Sequence, residues 1–177
     1  MTPKSQLDGF LDEYTPEIRK QATAILKAMK TLVPGAHWLV YDNYNALVIA
    51  LSATERVSDI VLSVALYPRW VSIFFMHGAS LPDPTKLLTG AGKGIRHVVV
   101  DDLALLSRRP FRALLRAALD RAEPPIDPRA KHAIVIQSIS KKQRPRKPPS
   151  AVSDPLRKAG PRLRAGDRRG STSSASR

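Results

Sequence analysis

Apolar and polar positions alternate with period two through Asp59–His77, the stretch DIVLSVALYPRWVSIFFMH, and that period marks strands rather than helix. Two such runs flank Pro68-Arg69. A two-residue turn there sets Tyr67 opposite Trp70 and Leu66 opposite Val71. In that register Ile60, Leu62, Val64, Leu66, Val71, Ile73 and Phe75 form one wholly apolar face. Val61, Ser63, Ala65, Tyr67, Trp70, Ser72, Phe74 and Met76 form a mixed face on the other side. An antiparallel pair with one apolar side calls for helices on that side and can leave the other half open.

The helices are visible on both sides of this hairpin. Leu7, Phe10, Leu11 and Tyr14 recur at helical spacing after Ser5 and Asp8, which fit a capping box. Thr15 as N-cap and Pro16 at the first helical position open a second helix. Its buried stripe is Ile18, Ala22, Ile25, Leu26, Met29 and Leu32, and Val33-Pro34-Gly35 ends it. Strands are expected at about His37–Asp42, Ala46–Ser52, Asp59–Tyr67, Trp70–His77 and Arg96–Val100, with a proline- and glycine-rich loop before the last. A third helix begins near Pro110, carries Phe111, Leu114, Leu115, Ala118, Leu119 and Ala122 on one face, and stops at Pro124-Pro125. His132–Ile139 alternates again and reads as a strand at a sheet edge. The expected fold is α+β: a mainly antiparallel sheet of about five or six strands with helices on one face.

The apolar signals of the core end near Ile139, and from Ser140 the chain turns to Lys, Arg, Pro, Ser and Gly. Such a segment buries too little apolar surface to offset the entropy of ordering it. The expected organisation is one domain over residues 5–148 and a disordered basic C-terminal tail over residues 149–177.

Charge sharpens this division. The formal net charge is +14, yet residues 1–128 hold 15 Lys+Arg against 13 Asp+Glu, whereas residues 129–177 hold 14 against 2. The basicity belongs to the C-terminal part. Cysteine is absent, which excludes disulfides, cysteine-type zinc sites and thiol catalysis. The start MTPKSQLDGFLDEY has no uninterrupted apolar run, so no signal peptide is expected. No apolar run reaches membrane-spanning length, so the expectation is a cytoplasmic protein with no membrane partner.

The segment FFMHGASLPDPTKLLTGAGKGIRHVVV carries a motif at Gly78, Ala79, Leu81, Asp83, Pro84, Leu87, Leu88, Gly90, Gly92, Lys93, Arg96 and His97. Together with SVALYPRW and IQSISKKQRPRKP, it resembles the YdhG-like family of bacterial domains of unknown function. The resemblance implies a small α+β domain with helices on a mainly antiparallel sheet. Through the likeness of some members to frataxin, it also implies a frataxin-like fold and the alternative of an intracellular iron chaperone.

Four kinds of chemistry can be weighed on the residues. Iron needs clustered carboxylates, and Asp8, Asp12, Glu13, Glu17 and Asp42 are the acids near the first helices, interrupted by Pro16, Arg19 and Lys20; no metal site is expected. The glycine loop Thr89–Gly94 lacks the Walker A pattern and leads into a strand. Its backbone beside Lys93 and Arg96 can still form a nest for a small anionic ligand, with Gly90, Gly92, Lys93, Arg96 and His97 as the binding set; the competing reading is a tight turn. Tyr67, Trp70 and Phe74 on the mixed face can stack on a base or flat ligand unless another segment covers them. Lys141, Lys142, Arg144, Arg146 and Lys147 are the densest cations and can contact nucleic acid.

No catalytic residue is assigned. There is no GxSxG elbow, and His37, His77, His97 and His132 lack metal-ligand spacing. His77, in line with Ile73 and Phe75, is expected in the core. The leading expectation is a non-enzymatic binding module for a small anionic ligand that needs no cofactor. Nucleic-acid binding through the tail is the alternative, and the residues leave the oligomeric state open.

Overall fold

The computed structural model describes residues 1–147. The disorder expected of residues 149–177 therefore falls outside the described part.

Helix α1 (Pro3–Asp12) opens at Thr2, whose Oγ1 accepts from the Ser5 amide at 3.1 Å, so the cap lies three residues before the Ser5–Asp8 box. Helix α2 (Pro16–Leu32) opens as expected: the Thr15 hydroxyl accepts from the Ile18 amide. Strands β1 (His37–Asp42), β2 (Leu47–Ser52), β3 (Ile60–Leu66), β4 (Val71–Phe75), β5 (Arg96–Val99) and β6 (Ile134–Ile139) form one sheet in the order β5-β4-β3-β2-β1-β6. Helix α3 (Arg109–Asp120) follows a 3-10 segment over Leu103–Ser107 that the sequence pattern does not show. All neighbouring strands are antiparallel except β6, which joins β1 in parallel at the sheet edge.

The central hairpin has the expected register, with Leu66 opposite Val71 and the Tyr67 amide donating to the Trp70 carbonyl at 2.9 Å. Leu62, Val64, Leu66, Val71, Ile73 and Phe75 are fully buried against Ile25, Met29, Phe111 and Leu115 of the helices. Burial on this scale, at roughly 25 cal/mol per Å² of apolar surface, is what holds helices and sheet together. One position departs from strict alternation. A bulge where β2 meets β3 sets Leu51 opposite Leu62 but Ser52 opposite Ile60. Val61 thereby joins the core, while Ile60 is half-buried outside it.

The opposite face of the sheet is built differently. Its cross-strand rows run Val135–Leu39–Ala50–Ser63–Phe74–His97 and Tyr41–Val48–Ala65–Ser72–Val99. Small residues in the middle (Ala50, Ser63, Ala65 and Ser72) are buried between larger neighbours. The β2–β3 connection also folds over this face: Ser52 donates to the Arg56 carbonyl, and Gln137 of β6 donates to the Glu55 carbonyl at 3.2 Å.

The ordered chain does not stop at Ile139. The Ser140 amide donates to the Asp42 carbonyl and the Arg144 amide to the Tyr44 carbonyl, each at 2.8 Å. Residues 140–147 thus form a strap across the β1–β2 turn. Apolar patterning could not reveal it, because a charged residue, not an apolar one, anchors it. Among the described residues no helix is long and apolar enough to cross a membrane.

Candidate functional site

The strap is held by a charge inside the protein. Arg146 is 4% exposed and Asp42 1%. The Arg146 guanidinium donates through Nη2 to Asp42 Oδ1 at 2.7 Å and to the Asn43 carbonyl at 2.6 Å. Gln143 donates to the second carboxylate oxygen of Asp42. The guanidinium also lies 5.4 Å from the Tyr14 ring centroid, within cation–π range. Tyr14 in turn donates to the Leu66 carbonyl at 2.9 Å and accepts from the Leu47 amide at 3.0 Å. One buried network therefore ties together β1, β2, β3, the strap and the α1–α2 junction. Burial pushes the Tyr14 phenol up to about 12, against the opposing pull of Arg146. Burial likewise raises the Asp42 carboxyl above its ordinary value, and the charge and hydrogen bond of Arg146 offset this only in part.

In sequence, Arg146 falls among four other cations as a contact for nucleic acid. The structure separates it from them: Arg146 is the anchor, whereas Lys141, Lys142, Arg144 and Lys147 are exposed. The anchor also fixes where the strap ends. Lys147 borders a depression of about 590 Å³ over α2, shared with Lys20, Lys27 and the Arg19–Asp12 ion pair. Cations distant in sequence become neighbours there.

The glycine loop has another character. Thr89 and His97 exchange backbone hydrogen bonds of 2.8 and 2.9 Å, closing Gly90–Arg96 into a hairpin-like excursion. Gly90 has φ +126°, a conformation that side chains disfavour. Gly78 is required for close approach: a Cβ there would lie 2.5 Å from Arg96 Cβ. Asp83 accepts from the amides of Leu87 at 3.0 Å and Leu88 at 2.8 Å. The Arg96 guanidinium donates inward, to the carbonyls of Gly92 and Ile95. Gly78, Asp83, Gly90 and Arg96 of the motif therefore have a conformational task. Gly92 and Lys93 are exposed, and Lys93 is the cation of this loop with its charge outside.

On the mixed sheet face the aromatics form two pairs. Tyr67 stacks on Trp70 with centroids 5.0 Å apart, and Phe74 stacks on His97 at the same distance. Trp70 remains 44% exposed, while Phe74 is half-buried with one ring face occupied. His77 is exposed in the turn after β4, not in the core, because the strand ends at Phe75 before alternation reaches it.

The acids near the first helices are dispersed among cations. Asp8 pairs with Lys4 and Asp12 with Arg19, each at 2.7 Å, and Asp42 is inside with Arg146. Among the described residues no group of three or more His, Asp or Glu is placed to hold a metal ion. Compared with protein-family models, with curated proteins and with solved structures, the chain matches none.

Proposed function

We propose that this protein is a non-enzymatic binding module for phosphate-bearing polyanions, with nucleic acid as the partner class. The observation that carries the reading is the buried Arg146–Asp42 pair. It converts a basic segment into a fixed strap that leaves Lys141, Lys142, Arg144 and Lys147 exposed, with Lys147 beside the cations of α2. Residues 148–177 continue from that point with seven Lys+Arg against two Asp+Glu. Preplaced cations lose less conformational entropy on binding than a free segment, which favours affinity. Kinship with the YdhG-like family is part of this proposal and rests on the motif of residues 78–97.

A small anion at Gly90, Gly92, Lys93, Arg96 and His97 draws on less, since the Arg96 guanidinium already serves the loop's own carbonyls. The iron-carrier alternative draws on less still, because Asp8, Asp12 and Asp42 each have a cationic partner.

Fluorescence anisotropy with a labelled generic duplex tests the proposal. Binding is expected to be indifferent to sequence and to weaken steeply with salt as counterions are released. Changing Lys141, Lys142, Arg144 and Lys147 together to Gln should flatten the slope of log affinity against log salt by up to about 3.6, or about 0.9 for each phosphate left without its cation. An unchanged slope would defeat the proposal.

A further inference from the structure

A second surface, on the helical layer, has a composition that the strap does not explain. Arg109, Arg112 and Arg116 lie along α3 at spacings that hold all three within about a sixth of a turn of one another, over about 10 Å of helix. All three are exposed, and among the described residues none is in an ion pair. They border a depression of about 560 Å³ whose apolar lining includes Leu32, Leu115 and Leu119. A second depression of about 460 Å³ adjoins it between α2 and the Leu103–Ser107 segment, sharing Leu32 and Arg112. Its lining adds Ala28, Leu103 and Leu106, with Lys27 at the margin, and Leu103 is 42% exposed. The two make one groove with an apolar floor and cationic rims. Among the described residues, Asp120, in the last turn of α3, is the one acid that lines either depression.

We propose that this groove docks an acidic amphipathic helix of a partner protein. Apolar side chains of such a helix would fill the floor from Leu32 to Leu106, as helix-in-groove recognition requires. Carboxylates one and two turns apart along its flank would meet Arg109, Arg112 and Arg116, whose planar forks suit bidentate pairing. Charge complementarity selects this occupant. The chain's own residues 148–177 are cationic and repelled by the rims. In a second copy, the acid-bearing helix α1 has already buried Leu7 and Leu11. A phosphate backbone would use the arginines but gain nothing from the apolar floor.

The test uses the full chain and a labelled peptide of about 14 residues, long enough for several helical turns. The peptide carries Leu on one face and Glu along the flanks. A scrambled isomer of equal composition and a generic duplex serve as comparisons. The amphipathic peptide is expected to bind at least roughly tenfold more tightly than its isomer. Arg112→Glu and Leu103→Ser should each weaken it by roughly tenfold, whereas Arg69→Glu, in the β3–β4 turn, should leave it unchanged. If Arg112→Glu alters the melting transition, Arg112→Gln replaces it, and loss of peptide affinity is still required. Equal binding of peptide and isomer would overturn the proposal. So would equal effects of Arg112→Glu and Arg69→Glu, or a loss at Arg112 seen for duplex and not for peptide.

Discussion

The strap over residues 140–147 and the glycine loop over residues 89–97 are both basic in sequence, and each has an arginine that donates hydrogen bonds within the protein. They differ in what the arginine holds. Arg96 is bound to carbonyls only one and four residues before it in the chain, so it stiffens a local excursion. Arg146 reaches a carboxylate more than a hundred positions away and is buried doing so. A local tie shapes the loop without linking elements, whereas the distant tie decides where the end of the described chain lies. The consequence for binding follows: the loop keeps Lys93 outside, and the strap keeps four cations outside in a fixed place.

Breaking each tie should separate the two sharply. Removal of one member of a buried ion pair leaves the other charge uncompensated, so Asp42→Ala is expected to cost about 3–5 kcal/mol by denaturant unfolding. A loss below about 0.5 kcal/mol, the range of surface substitutions, would mean the pair is not buried in solution.

The strap also has a pH signature. Burial raises the Asp42 carboxyl in the folded state, so its contribution to stability is complete below the unfolded value of about 3.9 and is lost as pH rises through the folded value. In Arg146→Met the partner that offsets burial is gone and the carboxyl rises further. The variant's deficit relative to the parent should therefore be largest at neutral pH and shrink on acidification toward pH ~4. A deficit independent of pH would contradict this assignment of charges.

Tyr14→Phe tests the support beneath the strap. It leaves the Leu47 amide and the Leu66 carbonyl without their buried partner, at an expected cost of about 1–3 kcal/mol. Arg96→Ala, on the other side of the comparison, removes hydrogen bonds at a loop open to water and should cost only about 0.5–1.5 kcal/mol. If Arg96→Ala proved as damaging as Asp42→Ala, the contrast between local and distant ties would fail.

The same contrast explains what can be read from the chain. Alternation around Pro68-Arg69 and the stripes of α2 and α3 are legible because apolar periodicity directly reports which face is buried. Thr15 and Pro16 are legible because capping is local chemistry. Strict alternation misplaces Val61 because a bulge breaks the period without leaving a mark in composition. It misplaces His77 by running past the point where the strand ends. Arg146 is invisible as an anchor because, in sequence, it looks like the lysines and arginines around it. Only the distant Asp42, arriving at the end of β1, distinguishes it. The groove arginines of α3 could have been found from their spacing alone, since Arg109, Arg112 and Arg116 share the face opposite Phe111, Leu114 and Leu115, with Asp120 beside them.

The most direct test of the proposed binding surface is the set of backbone amide NMR shifts of the full chain titrated with a short generic duplex at low salt. The expected result is that signals of Ser140–Lys147, together with those of Lys20–Lys27 on α2, move first and saturate together. Shifts confined to Gly90–His97 or to Tyr67–Phe74, with the strap unmoved, would contradict the claim that the Arg146-anchored strap forms the binding surface.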